Sequence, residues 1–163
     1  MTLKERLENV KRIFPKADSA LIAALHEVQD EYGWIHPDGV KLIEEVLGYS
    51  ETQVHSVASF YHFFHLEPTP KHKLAICTNL TCMQKGAYEL LKFAKENADP
   101  KKVFVEETEC IGLCDHAPAA LLNGTPLKNL TVELLKDLLE NPEKYDEGHR
   151  ETYEDMAETY GKD

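Results

Sequence analysis

Four cysteines constrain the fold of this chain more than any other feature of its sequence. They lie between positions 77 and 114 and form two close pairs: Cys77 with Cys82, and Cys110 with Cys114. Each pair follows a predicted strand, at residues 74–76 and 103–108, and an amphipathic helical pattern separates the two. In a unit of alternating strands and helices, loops that follow strands share one edge of the sheet. We therefore expect the four sulfurs to converge.

Four converging thiols suit a tetrathiolate metal site, for which zinc and iron–sulfur clusters are the candidates. Four residues separate Cys77 from Cys82. This loop is wider than the short knuckles typical of zinc sites, and it favours a [2Fe–2S] cluster. A Rieske site needs two histidine ligands; the sequence offers one Cys-x-His, at Cys114 and His116, but no Cys-x-x-His. Thioredoxin chemistry needs Cys-x-x-Cys, which is also absent from the sequence. Spacing alone leaves zinc, and redox or disulfide use, open as alternatives.

The rest of the sequence predicts two domains and a tail. Residues 1–66 carry helical apolar spacing and two capping boxes, which begin at Thr2 and Ser50. Pro68 and Pro70 mark a linker. Residues 71–140 read as an α/β unit, with Thr131 as the N-cap of its last helix. Residues 141–163 are mostly polar and acidic, which is typical of a solvated tail.

Charge and hydropathy exclude several function classes. The net charge is −11, so the chain should repel both nucleic acid and anionic lipid. Every apolar run is well short of the ~20 residues that a membrane-spanning helix requires. The N-terminus lacks the apolar core of a signal peptide, and we expect a cytoplasmic protein with reduced cysteines.

The cysteine motifs resemble those of a known family. The first is Cys77-Thr78-Asn79-Leu80-Thr81-Cys82 followed by Gly86, and the second is Glu109-Cys110-Ile111-Gly112-Leu113-Cys114 followed by Ala117-Pro118. Both are similar to motifs of the thioredoxin-like [2Fe–2S] ferredoxin. Two upstream motifs extend the resemblance: His26-Glu27-Val28-Gln29 with Gly33, and Val57-Ala58-Ser59-Phe60-Tyr61. Members of this family are the small iron–sulfur subunits of NADH dehydrogenase (respiratory complex I) and of NAD-dependent hydrogenases and formate dehydrogenases.

The resemblance implies a fold, a cofactor and a partner. The fold would be an N-terminal four-helix bundle followed by a thioredoxin-like domain. One [2Fe–2S] cluster would be held by Cys77, Cys82, Cys110 and Cys114. The chain would carry electrons beside a subunit that binds FMN and NAD(H), and alone it would not be an enzyme. The sequence agrees with this division of labour, because it contains no Gly-x-Gly-x-x-Gly dinucleotide fingerprint. The alternative is an interaction module that four cysteines stabilise through zinc.

Three smaller expectations concern single positions. We expect the aromatic run of Phe60, Tyr61, Phe63 and Phe64 to be core, with a partner-docking patch as the alternative. His116 is expected to be an exposed loop residue. The resemblance raises the expectation of a cis peptide bond before Pro118.

Overall fold

The computed structural model describes residues 1–14, 16 and 19–146. Its described residues form two compact units, one up to Thr69 and the other from Pro70 onward. The predicted tail, residues 141–163, falls largely outside this range, since residues 147–163 are not among those described.

The first unit consists of four helices. They are α1 (Leu3–Ile13), α2 (Leu21–Tyr32), α3 (Pro37–Leu47) and α4 (Glu51–Phe60). Both predicted capping boxes are present, Thr2 with Glu5 and Ser50 with Gln53. In each, the side chains satisfy backbone N–H groups that the first helical turn leaves unpaired. The apolar stripes of the four helices bury one common core.

Residues 37–39 are Pro-Asp-Gly, a composition typical of a turn, yet they form the first turn of helix α3. Pro37 lies at its start, and the His36 side chain accepts a hydrogen bond from the Asp38 N–H. Proline is compatible with this position because the first helical N–H groups have no partner within the helix. Gly39 permits a close approach to α2, since a Cβ atom there would lie 2.3 Å from a methyl group of Val28.

The aromatic run that begins at the end of α4 is only partly core, so the expectation was right for Phe64 and wrong for Phe60 and Phe63. Phe64 is buried at 5% exposure, whereas Phe60 is 79% exposed and Phe63 is 37% exposed. The helix ends at Phe60, and the chain then turns, so consecutive aromatic side chains cannot share one buried face. His26 stacks on Phe63 with ring centroids 5.5 Å apart.

The second unit contains a four-stranded sheet and three helices. Its elements are β1 (His72–Cys77), α5 (Leu80–Gln84), α6 (Ala87–Asn97), β2 (Val103–Thr108), β3 (Ala120–Leu122), β4 (Thr125–Leu127) and α7 (Val132–Glu140). Short 3₁₀ turns occupy Cys114–His116 and Pro142–Lys144. The strand order is β2-β1-β3-β4, so β1 is central and β2 and β4 are the edges. Strand β2 runs parallel to β1, whereas the other neighbouring pairs are antiparallel.

Helices α6 and α7 complete the core of this unit. Their apolar side chains pack with those of the strands around fully buried Leu74, Ile76 and Leu122. Thr131 caps α7 as predicted, because its side chain accepts a hydrogen bond from the Leu134 N–H. At the other end of α7, hydrogen bonds from Lys144 and Tyr145 lower the pKa of Asp137 to about 2.

Within the described part of the chain, no helix combines the length and the apolar character needed to cross a membrane.

Candidate metal centre

The parallel pairing of β1 and β2 brings the two cysteine loops to one edge of the sheet. Cys77 is the last residue of β1 and lies opposite Thr108, the last residue of β2. The Thr78 N–H donates to the Thr108 carbonyl at 3.2 Å. Cys110 follows two residues after Thr108. The register of the two parallel strands therefore brings the two loops to a common edge, as the sequence predicts.

The first loop contains a short helix that the sequence did not predict. Asn79 caps α5 by accepting a hydrogen bond from the Leu80 N–H, and Cys82 lies inside this helix. An asparagine just before Leu80 is the signal that could have identified the helix start. The Asn79 side chain also donates to the Glu109 carboxylate at 3.0 Å, which joins the first loop to the second.

The second loop curves around its own two sulfurs. The sulfur atoms of Cys110 and Cys114 are 3.5 Å apart. Two thiolates on one tetrahedral metal at ~2.3 Å would be separated by roughly 3.8 Å, so this spacing fits shared ligation of one ion. Gly112 has φ +77°, a conformation that favours glycine, and its N–H donates to the Cys110 sulfur at 3.5 Å.

Electrostatic interactions also connect the two pairs. The Cys82 thiol interacts electrostatically with Cys77 and Cys114, and Cys114 does so with Cys77. The Ala119 backbone acts on Cys82, and the Thr81 side chain of the first loop acts on Cys114 of the second. The structure thus places the four predicted site residues at one edge of the sheet.

The thiols differ in electrostatic environment. Burial is the main factor that raises the pKa of Cys82, and the neighbouring Cys77 thiol adds to it. The Gly112 N–H lowers the pKa of Cys110, because it stabilises the thiolate. The hydrogen bond with Cys110 raises the pKa of Cys114. Cys110 is therefore the thiol of this pair that favours its charged form.

The two pairs also differ in burial. Cys77 is 2% exposed and Cys82 is 3% exposed, and both pack among Ala87, Ala117 and Ala119. Cys110 and Cys114 are exposed. The first pair is therefore part of the protein interior, while the second pair faces solvent.

The two candidate metal sites place different demands on the four sulfurs. Four-cysteine zinc requires all four sulfurs around one point. A [2Fe–2S] cluster requires only that each iron meet two thiolates, which two neighbouring pairs supply.

Two further positions agree with the sequence-based expectations. The peptide bond between Ala117 and Pro118 is cis. The His116 side chain is 41% exposed and lies 3.3 Å from the Asp115 carboxylate rather than among the thiols.

A sequence model described as thioredoxin-like [2Fe–2S] ferredoxin matches residues 7–143. The chain belongs to this family. The predicted fold class and the predicted [2Fe–2S] cofactor are thereby confirmed.

The curated relatives of this chain include subunits of NADH-quinone oxidoreductases. One from Thermus thermophilus is 35% identical over 66% of this chain, which spans 64% of that relative's length. Another, from Aquifex aeolicus, is 30% identical over 84% of this chain and 91% of its own length. Among solved structures, an NAD⁺-reducing [NiFe]-hydrogenase in the air-oxidized state matches with a TM-score of 0.66 and 25% identity. That match covers 76% of this chain and 23% of the hydrogenase chain.

Proposed function

We propose that this protein is the electron-transfer subunit of an NAD(H)-linked oxidoreductase complex. Cys77, Cys82, Cys110 and Cys114 would together hold one [2Fe–2S] cluster, with two thiolates on each iron. The observation that carries the proposal is the meeting of these four thiols at one sheet edge. The relatives named above support an NADH dehydrogenase or an NAD-dependent hydrogenase. A formate dehydrogenase is a third setting, which the sequence resemblance alone suggests.

The residues of the chain hold and tune the site. When bound, the cluster supplies reversible one-electron transfer. Cys77 and Cys82 are buried, so their side of the site excludes water. The Gly112 N–H donates a hydrogen bond to the Cys110 sulfur, which offsets thiolate charge, and the Ala119 backbone favours the charged form of Cys82. Such hydrogen bonds raise the reduction potential, because they stabilise the more negatively charged reduced state.

A partner must perform the chemistry of the nicotinamide. NADH delivers two electrons together as a hydride, so a flavin is needed to separate them. The sequence of this chain has no dinucleotide fingerprint. FMN and NAD(H) are therefore assigned to an NADH-binding flavoprotein subunit, and this chain alone is assigned no catalytic activity. Its proposed location is cytoplasmic.

The proposed domain organisation is a helical bundle at residues 1–66, a thioredoxin-like [2Fe–2S] domain at 71–140 and an acidic tail at 141–163. The division of the described residues at Thr69 and Pro70 supports the first boundary.

Metal analysis and reduction of the purified full-length chain test this proposal. We expect two irons and two acid-labile sulfides per chain, and dithionite should produce the paramagnetic signal of a one-electron-reduced [2Fe–2S] centre. NADH alone should produce no signal, whereas NADH with the flavoprotein subunit should. A colourless protein with one zinc would refute the cluster. Unaided NADH oxidation by the isolated chain would refute the division of labour.

A further inference from the structure

A side-chain hydrogen bond joins the two cysteine loops just beyond the paired strands. The pairing of β1 with β2 ends at Cys77 and Thr108, and the Thr78 N–H then donates to the Thr108 carbonyl. One residue further along each loop, the Asn79 amide donates to the Glu109 carboxylate at 3.0 Å. We call this hydrogen bond the inter-loop bridge. It continues the strand ladder by one step, beyond the point where the backbones pair.

Asn79 contacts the elements that carry one cysteine of each pair. Its Oδ1 atom accepts a hydrogen bond from the Leu80 N–H at 2.8 Å and caps α5, the helix that contains Cys82. Its Nδ2 atom donates to Glu109, the residue immediately before Cys110. The amide can do both because it has an acceptor oxygen and a donor nitrogen, whereas a carboxylate at this position could cap the helix but not donate.

The two ends of the inter-loop bridge differ in how firmly the fold holds them. The first loop follows the central strand, and both of its cysteines are buried. The second loop follows an edge strand, and Glu109, Cys110 and Cys114 are exposed. An edge strand has a backbone neighbour on one side only. The inter-loop bridge therefore connects the exposed loop to a loop whose position is fixed by the protein interior.

We infer that Asn79 is a positioning residue for the metal centre, which holds the second cysteine pair in register with the first through Glu109. This inference rests on the proposed function, because a cluster shared by two cysteine pairs requires a fixed spacing between them. Hydrogen-bonded partners outside the ligand set commonly orient metal ligands in this way. Since both side chains of the inter-loop bridge are exposed to water, we expect the effect of its loss to be moderate.

Four variants of the full-length, cluster-loaded chain separate the hydrogen bond from its charge. Asn79→Asp keeps the cap of α5 but sets two carboxylates against each other, so an iron chelator should remove the cluster about three- to tenfold faster. Asn79→Ser removes the donor without adding charge and should also speed cluster loss. Glu109→Gln keeps an acceptor for the Asn79 amide and should stay near the wild-type rate.

The fourth variant tests rescue. The double substitution Asn79→Asp, Glu109→Gln allows a hydrogen bond in the reverse direction and has the net charge of the wild type. It should therefore return the rate of cluster loss to near the wild-type value. A role of Asn79 in capping alone would not produce this recovery, because Asn79→Asp already keeps the cap.

Asn123 provides a matched control at the opposite end of β1 from Cys77. Its Oδ1 atom accepts from the Lys73 N–H at 2.9 Å, and its Nδ2 atom donates to the Asp146 carboxylate at 2.7 Å. Asn123→Asp thus makes the same chemical change in a similar pair of hydrogen bonds, away from the cysteines. It should leave the rate of cluster loss unchanged.

Nitrogen-15 relaxation of the metal-free chain gives a readout that does not depend on iron. In Asn79→Asp, the amide order parameters of residues 110–114 should fall from about 0.85, typical of rigid backbone, towards 0.6, and the double variant should restore them. The inference is overturned if Asn79→Asp changes neither these order parameters nor cluster loss, if the double variant shows no recovery, or if Asn123→Asp speeds cluster loss equally. A wild-type chain that takes up no iron would instead overturn the proposed function.

Discussion

The two cysteine loops lie at the same edge of one sheet, yet they are built differently. The first follows the central strand β1 and turns directly into a capped helix, so Cys77 and Cys82 are buried. The second follows the edge strand β2 and turns through Gly112 in the left-handed region, and Cys110 and Cys114 stay exposed. The position of each strand in the sheet therefore accounts for the burial of the cysteines that follow it.

This difference separates two roles within one ligand set. A central strand has neighbours on both sides, and the Cys77 N–H is fixed by the Ala119 carbonyl at 3.0 Å. The first loop is thus part of the protein interior and anchors the site. The second loop has solvent on one side and presents the site to a partner. The following predictions test this distinction, from the largest expected effect to the smallest.

Serine substitution at each cysteine should separate ligation from burial. Cys77→Ser, Cys82→Ser, Cys110→Ser and Cys114→Ser should each lose most of the cluster, measured as iron, sulfide and visible absorbance. In the metal-free proteins, the two buried substitutions should lower the free energy of unfolding by about 1–3 kcal/mol, because a hydroxyl replaces a thiol in an apolar site. The exposed pair should change it by less than about 0.5 kcal/mol. Full cluster retention in any variant would remove that residue from the ligand set.

Alkylation of the metal-free protein should distinguish the same pairs chemically. Iodoacetamide should modify Cys110 first, because it is exposed and the Gly112 N–H lowers its pKa, which increases the thiolate fraction at a given pH. Its rate should rise with pH at lower values than for an ordinary thiol. Cys77 and Cys82 should react at least about tenfold more slowly, since reaction requires local opening of the fold. Mass spectrometry of timed samples gives the order, and the urea-unfolded chain, where the four should react alike, is the control.

Gly112→Ala should strain the second loop and reveal its link to the site. An added Cβ meets no atom within 4 Å, so the cost comes from φ +77° alone and should be about 1–2 kcal/mol in unfolding free energy. Gly124→Ala is the control, because Gly124 has φ +90° and equally open surroundings but lies in the β3–β4 turn. Both substitutions should destabilise the protein alike in urea unfolding. Only Gly112→Ala should alter the absorption spectrum and speed cluster loss, and identical spectra would contradict the link.

Thr81→Val should lower the reduction potential without removing the cluster. The Thr81 side chain favours the charged form of Cys114, so its hydroxyl should stabilise the more negative, reduced state, and its loss should destabilise that state. We expect less than a tenfold change in the ratio of reduced to oxidised protein at fixed potential, which for one electron is under about 59 mV. Spectroelectrochemical titration measures the shift. Thr81→Ser keeps the hydroxyl and should stay near the wild-type potential, so an equal shift in both variants would assign the effect to packing.

Much of this site could be predicted because its position depends on strand order along the chain. Cysteines immediately after two predicted strands must meet if the strands are parallel neighbours, and β1 and β2 are. The caps at Thr2, Ser50 and Thr131 were also predictable, since capping is a local interaction between residues three apart.

Features that depend on tertiary surroundings could not be predicted in this way. Helix α5 spans only Leu80–Gln84, too short for an apolar period to appear. Phe60 has a large apolar side chain, as core residues do, but its exposure depends on where α4 ends and the chain turns. The difference in burial between the cysteine pairs depends on which strand is central in the sheet. The sequence does not specify the order of the strands within the sheet.

The two edge strands of the sheet also disfavour the pairing of strands from other chains with the second unit. An open strand edge invites further strands, and in other proteins this leads to aggregation. Strand β4 is only Thr125–Leu127, and its middle residue, Pro126, has no N–H to donate to an incoming chain. The opposite edge, β2, carries Glu106 and Glu107, and a strand of like charge would be repelled there. Sheet extension is thus discouraged at both edges, and contacts of this unit with other chains are directed to side-chain surfaces.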